Sequence, residues 1–547
     1  MAPVERWRLE TPPMRIVALA AVLLHAMALC APDTVASWLF DEDSADRVLD
    51  HGPSGLHGSA SGVRYVEGPG GVGLALSFRG GGHVELPPAV YFRDGSTGFA
   101  VSFWLRSPRV THERTVMAAG ESSDAPPDLV LKLDSGGRLT LTRSSVPGET
   151  LVGRRRLDDG LWHYVAAAYH PDERSILLFV DDQIEARGAS DGVLAGKTMV
   201  ISLGAALSGE LPYGGDLDDL EISAGLPEDF ERIIRIRDRF LLLEPGQARR
   251  ALAEYRATAA LGAGGADTGP QSVVLPRLAD VSGSDEAADM VRQLRDAVGQ
   301  VVAGGRGVIP GRAERVSSGF DLEEYRVEPL VITTEPGIPV PAVLLRLAPA
   351  ADAEPSPGPA VILLDDAGKA DAAGYHWRVI TGLADAGMVV CLADPRGIGE
   401  LAGNWEMPGR SAWAAGAYDI VSLARFLGTH PDVMPGRVIC VAYGATAFPA
   451  LAAATAEPGI ARVVVVPKEA ELTEACACSF EGGNPDLPTL LAGLAPRPVW
   501  VGGILTAGDL NPAIGLYREL GQTAGFLATA DPPFPDDLVK WLRAGWE

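Results

Sequence analysis

The chain has 547 residues, too many for one hydrophobic core, and two or three domains are expected. Hydrophobic residues make up 47% and charged residues 21%, the balance of a globular protein, which argues against wholesale disorder. The net charge of −25 argues against nucleic acid and anionic membrane as partners, because both reward clustered Lys and Arg.

In chain order, Arg6, Arg8 and Arg15 precede an apolar run over residues 16–31. The run is short for a membrane span, which needs about 20 apolar residues. A charged start, a short apolar stretch and Ala26-Met27-Ala28 read as a secretory signal over residues 1–31. An exported protein without a membrane span in its mature chain is expected; a lipid-modified Cys30 and an uncleaved anchor are the alternatives. Five cysteines are too few for a disulfide scaffold. Cys391 and Cys440 lie in apolar runs and read as buried thiols, while Cys476-Ala-Cys478 is a weak metal or bridge signal.

Residues 33–225 show short alternating runs separated by Gly, Asp and Pro, the pattern of an all-β sandwich or jelly roll. Two motif matches here lack the context that gives them meaning. Gly188-Ala-Ser-Asp-Gly192 opens no helix, and Gly68-Pro-Gly-Gly-Val-Gly73 leads into a strand. Residues 226–318 read as a helical connector, with helical spacing from Pro227 to Tyr255 and a second helix over 285–302 capped by Ser284. From residue 319 to 547, apolar runs at 360–364, 388–392, 438–441, 462–466 and 498–501 alternate with helical stretches. Strands buried on both faces with crossover helices mean a mainly parallel α/β sheet.

Within the first region, Ser37-Trp-Leu-Phe-Asp41, Phe99-Ala-Val-Ser-Phe-Trp104, Asp159-Gly-Leu-Trp-His-Tyr-Val165 and Gly215-Asp-Leu-Asp-Asp-Leu-Glu-Ile222 follow one another at characteristic spacing. In these it resembles the laminin-G-like, concanavalin A-like jelly rolls. The resemblance implies a glycan or protein ligand, or a spacer role. It also implies a calcium site with Asp41 or Asp43 and Asp218 as ligands, since hard Ca²⁺ wants clustered oxygens. The same aspartates also read as solvated turn residues. Trp162 and His163, inside a strand pattern, read as packing residues before sugar platforms.

In the last region, Asp394-Pro-Arg-Gly-Ile-Gly-Glu400, Gly416-Ala-Tyr-Asp-Ile420 and Ala495-Pro-Arg-Pro498 resemble the acetylxylan esterase type of α/β-hydrolase. Such an enzyme needs an exposed serine on a strand–turn–helix elbow, a histidine to take its proton and an acid to orient the histidine. Alignment on the strand at 438–441 puts Gly444 at the serine position, and the resemblance puts the acid at Asp509. The histidine is expected within 526–535, but the last histidine of the chain is His430. Asp365 and Asp366 stand where an oxyanion-binding turn is expected, and acids there would raise an oxyanion's energy. Thr446, Ser479 and Cys440 are substitute nucleophiles without an evident base. His376, Trp377 and Trp405 are candidate ligand-stacking residues near the mouth, with core packing as the alternative.

The expected molecule is multidomain: a jelly-roll sandwich, then an α/β-hydrolase-like sheet with flanking helices and a degenerate triad. Polysaccharide or glycan is the expected partner, in binding or scaffolding. The alternatives are an active carboxylesterase that deacetylates polysaccharides and a surface protein-interaction module.

Overall fold

The computed structural model describes residues 34–42, 46–71, 73–79, 81–92, 98–122, 125–143, 150–181, 183–190, 196–226, 239–243, 246–262, 281–303, 308–348, 357–403, 405, 411–467, 486–503, 510–530, 532–533 and 535–544. The segment read as a signal, Asp43, the Cys476–Cys478 pair, Ser479 and Asp509 lie outside these residues. The chain divides into two compact units at residues 233 and 234.

The first unit is a sandwich of two antiparallel sheets. One runs in the order Gln183–Ala189, Ser175–Val180, Trp162–His170, Phe99–Arg106, Asp216–Ala224, Leu74–Ser77, Arg64–Glu67, with Thr34–Trp38 also on Asp216–Ala224. The other runs Thr150–Arg156, Arg138–Arg143, Leu129–Leu133, Arg114–Gly120, Met199–Leu203, His83–Ala89, Gly58–Ser61, Arg47–Val48. Alternation decides which side chains face inward. Val101, Phe103 and Leu105 enter the core, so Ser102, Trp104 and Arg106 turn to the opposite face of their sheet. Trp38 is fully buried, with its indole N–H donating to the Leu56 carbonyl at 3.0 Å. Losing that acceptor would cost about 1–3 kcal/mol. His163 is a packing residue, held by Asp181 at 2.7 Å and Asp159 at 3.2 Å. Burial alone would lower its pKa, but the two carboxylates outweigh burial and raise it.

The second unit is built on one sheet. Its order is Arg312–Arg315, Tyr325–Thr333, Pro339–Leu347, Val389–Ala393, Gly358–Asp365, Val433–Tyr443, Ile460–Val466, Val499–Val501, Phe526–Ala528. From Val389–Ala393 onward the pairings are parallel, and the first strands are antiparallel. All five apolar runs read from the sequence are strands of this sheet. Helices cover both faces, as the two apolar clusters on either side of the sheet show. The segment read as a connector contributes to this unit. Its helix Ser284–Ala303 buries Val291, Leu294, Val298 and Val302 in the core, and Arg312–Arg315 is an edge strand. The other helix of that segment runs Gln247–Gly262, and the stretch from Pro227 to residue 238 lies outside the described residues.

Two distinctive strings of the sequence are scaffolding in this unit. Arg497 donates to the carbonyls of Ala454, Glu457 and Ile460, closing the end of the helix Ala447–Ala456. Asp394-Pro-Arg-Gly-Ile-Gly-Glu400 is a clip. Asp394 accepts from the Lys369 and Glu400 backbone N–H groups at 2.6 and 2.9 Å and from Lys369 Nζ at 3.0 Å. The fully buried Lys369 also reaches Glu400, whose carboxylate accepts from the Leu242 and Leu243 N–H groups. Gly399 has no Cβ because one would overlap the Asp394 carboxylate.

Candidate functional site

The elbow lies at the carboxyl edge of the parallel strands, where open α/β sheets bind ligands. Strand Val433–Tyr443 sits between Gly358–Asp365 and Ile460–Val466, with Tyr443 paired to Asp365 and to Val466. The chain then turns through Gly444–Thr446 into the helix Ala447–Ala456. Gly444 has φ +64°, the left-handed conformation that the sharp elbow demands and that glycine adopts freely. The strand–turn–helix read from the sequence is therefore present, with no side chain at Gly444.

Another residue fills the space. Because Asp365 pairs with Tyr443, the next residue of each strand meets the other across the sheet edge. A Cβ built on Gly444 would stand 2.5 Å from Asp366 Cγ and overlap its carboxylate. Asp366 is half-buried and lies over the elbow, while Asp365 turns inward and is buried. Asp365 accepts from the Ala367 N–H at 2.9 Å and pairs with His376 Nε2 at 2.8 Å. The His376 ring stacks on Tyr443, with ring centroids 3.9 Å apart and planes 19° from parallel. The acid pair read from the sequence thus splits: one carboxylate holds a histidine and the other occupies the elbow. Neither the His376–Asp365 pairing nor the filling of the elbow is visible as a motif, since both depend on strand register.

The substitute nucleophiles fare poorly. Thr446 is fully buried and donates its hydroxyl to the Tyr443 carbonyl at 2.7 Å. Burial pushes the Cys440 thiol up to about 12, so it is no thiolate at neutral pH. Of the three candidate stacking residues, His376 is 8% exposed and lies against the elbow strand. Trp377 is buried edge-on to Tyr325 with centroids 6.1 Å apart, and Trp405 is buried with its N–H on the Leu401 carbonyl at 2.7 Å. Burial gives both tryptophans a packing role. A pocket lined by Pro357, Gly428, His430, Val433 and Pro435 opens at the starts of the strands, on the opposite edge from Gly444.

In the first unit, Asp41 accepts from the Leu74 N–H at 2.7 Å, and Asp218 is buried. Burial, then the charges of Asp219, Asp41 and Glu42, push Asp218 up to about 9. Glu42 Oε2 is buried without a hydrogen-bond partner. These oxygens are the donors a hard cation takes. Yet no three His, Cys, Asp or Glu side chains among the described residues form a ready ligand set. Asp43, the other aspartate that the resemblance implies, lies outside the described residues. A pH effect follows for the metal-free protein. Asp218 is protonated when folded and ionised when unfolded at neutral pH. Its stabilising contribution is complete below its ordinary value near 4 and is lost as pH rises towards 9. In chelator, Asp218→Asn is expected to remove most of that loss between pH 5 and 9. Urea unfolding across this range checks it, and parallel curves for both proteins would contradict it.

The family model of the concanavalin A-like lectin/glucanases superfamily matches residues 78–226. None of the curated proteins compared with the chain matches it. Solved structures similar to it include acetyl xylan esterase 1 from Thermoanaerobacterium sp. JW/SL YS485, at 14% identity. That match covers 49% of this chain and 96% of the esterase, with a TM-score of 0.34. A glucuronoyl esterase from Solibacter usitatus is 15% identical over 52% of this chain and 98% of its own, with a TM-score of 0.38. Domain 4 of AbnA, an extracellular GH43 arabinanase from Geobacillus stearothermophilus solved with arabinotriose, is 20% identical. It covers 36% of this chain and 96% of that domain, with a TM-score of 0.29. At these identities the likeness is one of fold. The first unit carries the match to the concanavalin A-like lectin/glucanases superfamily, and the second is a mainly parallel α/β sheet with helices on both faces. Among the described residues no helix is long and apolar enough to cross a membrane.

Proposed function

We propose that this is an exported carbohydrate-associated protein whose esterase-like unit binds or scaffolds and does not hydrolyse. The observation that carries the reading is the elbow: at Gly444, where the esterase resemblance would place the nucleophile, the Asp366 carboxylate fills the space a side chain would take. Acyl transfer needs a nucleophile, a base and donors for the oxyanion. A carboxylate at the elbow supplies the wrong charge for the last of these. Asp509 would have no histidine to orient, since none follows His430. The lectin-like match supports carbohydrate as the partner class. The segment over residues 1–31 supports export through a signal peptide.

The experiment is retention of the purified full-length chain on immobilised polysaccharides, neutral and acidic. The expected result is retention by at least one that free oligosaccharide competes away. Passage of the protein through every column would contradict the carbohydrate reading and favour a protein-interaction module.

A further inference from the structure

The sheet registers bring five residues into one row across the outer face of the sandwich. Arg64 pairs with Ser77, Ser77 with Asp216, Asp216 with Arg106, and Arg106 with Trp162. Directly paired residues share a face, and neighbouring strands lie about 4.8 Å apart, so the row is about 19 Å long. Its inward neighbours, Leu105, Leu217, Leu76 and Tyr65, pack on the core, which puts the row itself on the outside.

The row is chemically organised. Asp216 is fully buried and accepts from Arg106 Nε at 2.8 Å and Arg79 Nη2 at 3.0 Å. Arg106 lies over the Trp162 ring, 4.5 Å from its centroid. Held on one side by Asp216 and on another by Trp162, its guanidinium is fixed before any ligand arrives. Its two Nη groups take no partner among the described residues. Arg79 and Arg64 are exposed. Arg64, Arg79 and Arg106 thus gather about the single carboxylate of the row, Asp216, on a chain whose net charge is −25, with Asp218 one pair further along on the same face. One pair along the strands, Tyr164 faces Trp104 with ring centroids 5.4 Å apart, and both are half-exposed.

We propose that this row is a binding site for an acidic polysaccharide, with Arg64, Arg79 and Arg106 receiving uronate carboxylates beside the Trp162 ring. Guanidinium groups bind carboxylates through paired hydrogen bonds, and fixing Arg106 beforehand lowers the entropy lost on binding. Aromatic rings next to the cations offer flat apolar surface to sugar faces. The site deepens the carbohydrate reading above and rests on it.

The test is affinity electrophoresis of the full chain through gels holding polygalacturonate, heparin, neutral xylan or a DNA duplex. Polygalacturonate is expected to retard the wild type, with about tenfold weaker binding between about 50 and about 200 mM salt. Arg64→Glu, at an exposed position whose loss cannot unfold the core, is expected to weaken that binding about tenfold and leave neutral xylan unchanged. Arg79→Gln is expected to act in the same direction more weakly. Unchanged polygalacturonate binding by Arg64→Glu would overturn the site and leave the carbohydrate reading standing. Tighter binding of heparin or DNA than of polygalacturonate would overturn the choice of uronate. No retardation by any polysaccharide would overturn both the site and the reading.

Discussion

Gly444→Ser is expected to destabilise the second unit by about 2–3 kcal/mol and to restore no esterase activity. Two costs add. A residue with a Cβ at φ +64° carries about 1–2 kcal/mol of backbone strain. The new side chain must also push the Asp366 carboxylate out of the space it fills. The second cost belongs to a pair, so a double-mutant cycle separates it from the first. Asp366→Ala in the same chain is expected to return about 1 kcal/mol, leaving the backbone strain. Simple additivity of the two substitutions would show that Asp366 does not occupy the elbow. Activity is expected to stay absent in either variant, because no histidine follows His430, where the esterase resemblance places the base.

Arg396→Met is expected to cost about 3–5 kcal/mol, the largest loss of any single change considered. The Arg396 side chain is fully buried. Its Nε and Nη2 reach Asp419 at 2.9 and 2.8 Å, and its Nη1 reaches Glu335 at 2.6 Å. Asp419 also accepts from the Arg396 backbone N–H at 3.0 Å and the Thr334 hydroxyl at 2.5 Å. Methionine fills much of the volume but leaves two carboxylates buried without a counter-charge, and that accounts for the size of the loss. Urea unfolding followed by tryptophan fluorescence measures it. A loss below about 1 kcal/mol would mean that the two acids are solvated or protonated in the native state.

These two residues also show what could be read in advance. The core strands were legible because strands buried on both faces are continuous apolar runs, as in Val361-Ile-Leu-Leu364. The edge strand Arg312–Arg315 was not, because its residues are polar and mostly exposed and carry no period. The strand–turn–helix around Gly444 was legible from its apolar run and the small residues after it. What fills the turn was not, because Asp366 meets Gly444 only through the Asp365–Tyr443 register. The string Asp394-Pro-Arg-Gly-Ile-Gly-Glu400 stood out as distinctive, but its task was hidden. Arg396 finds Asp419 on the helix Ala412–Leu427, and Asp394 finds Lys369 at the start of another. The basic row on the sandwich was hidden for the same reason, since Arg64, Arg79 and Arg106 are scattered in a strongly acidic sequence and meet only across strands.

On the proposed reading, the Asp366 carboxylate fills the elbow at Gly444 and the chain does not catalyse acyl transfer. This is tested most directly by turnover of p-nitrophenyl acetate and acetylated xylan by the purified full-length chain, beside a heat-denatured control. Rates equal to the control are expected for both substrates. Saturable turnover above the control that is lost in Asp366→Asn or His376→Gln would contradict that reading, and would make the carboxylate above Gly444 part of an active site.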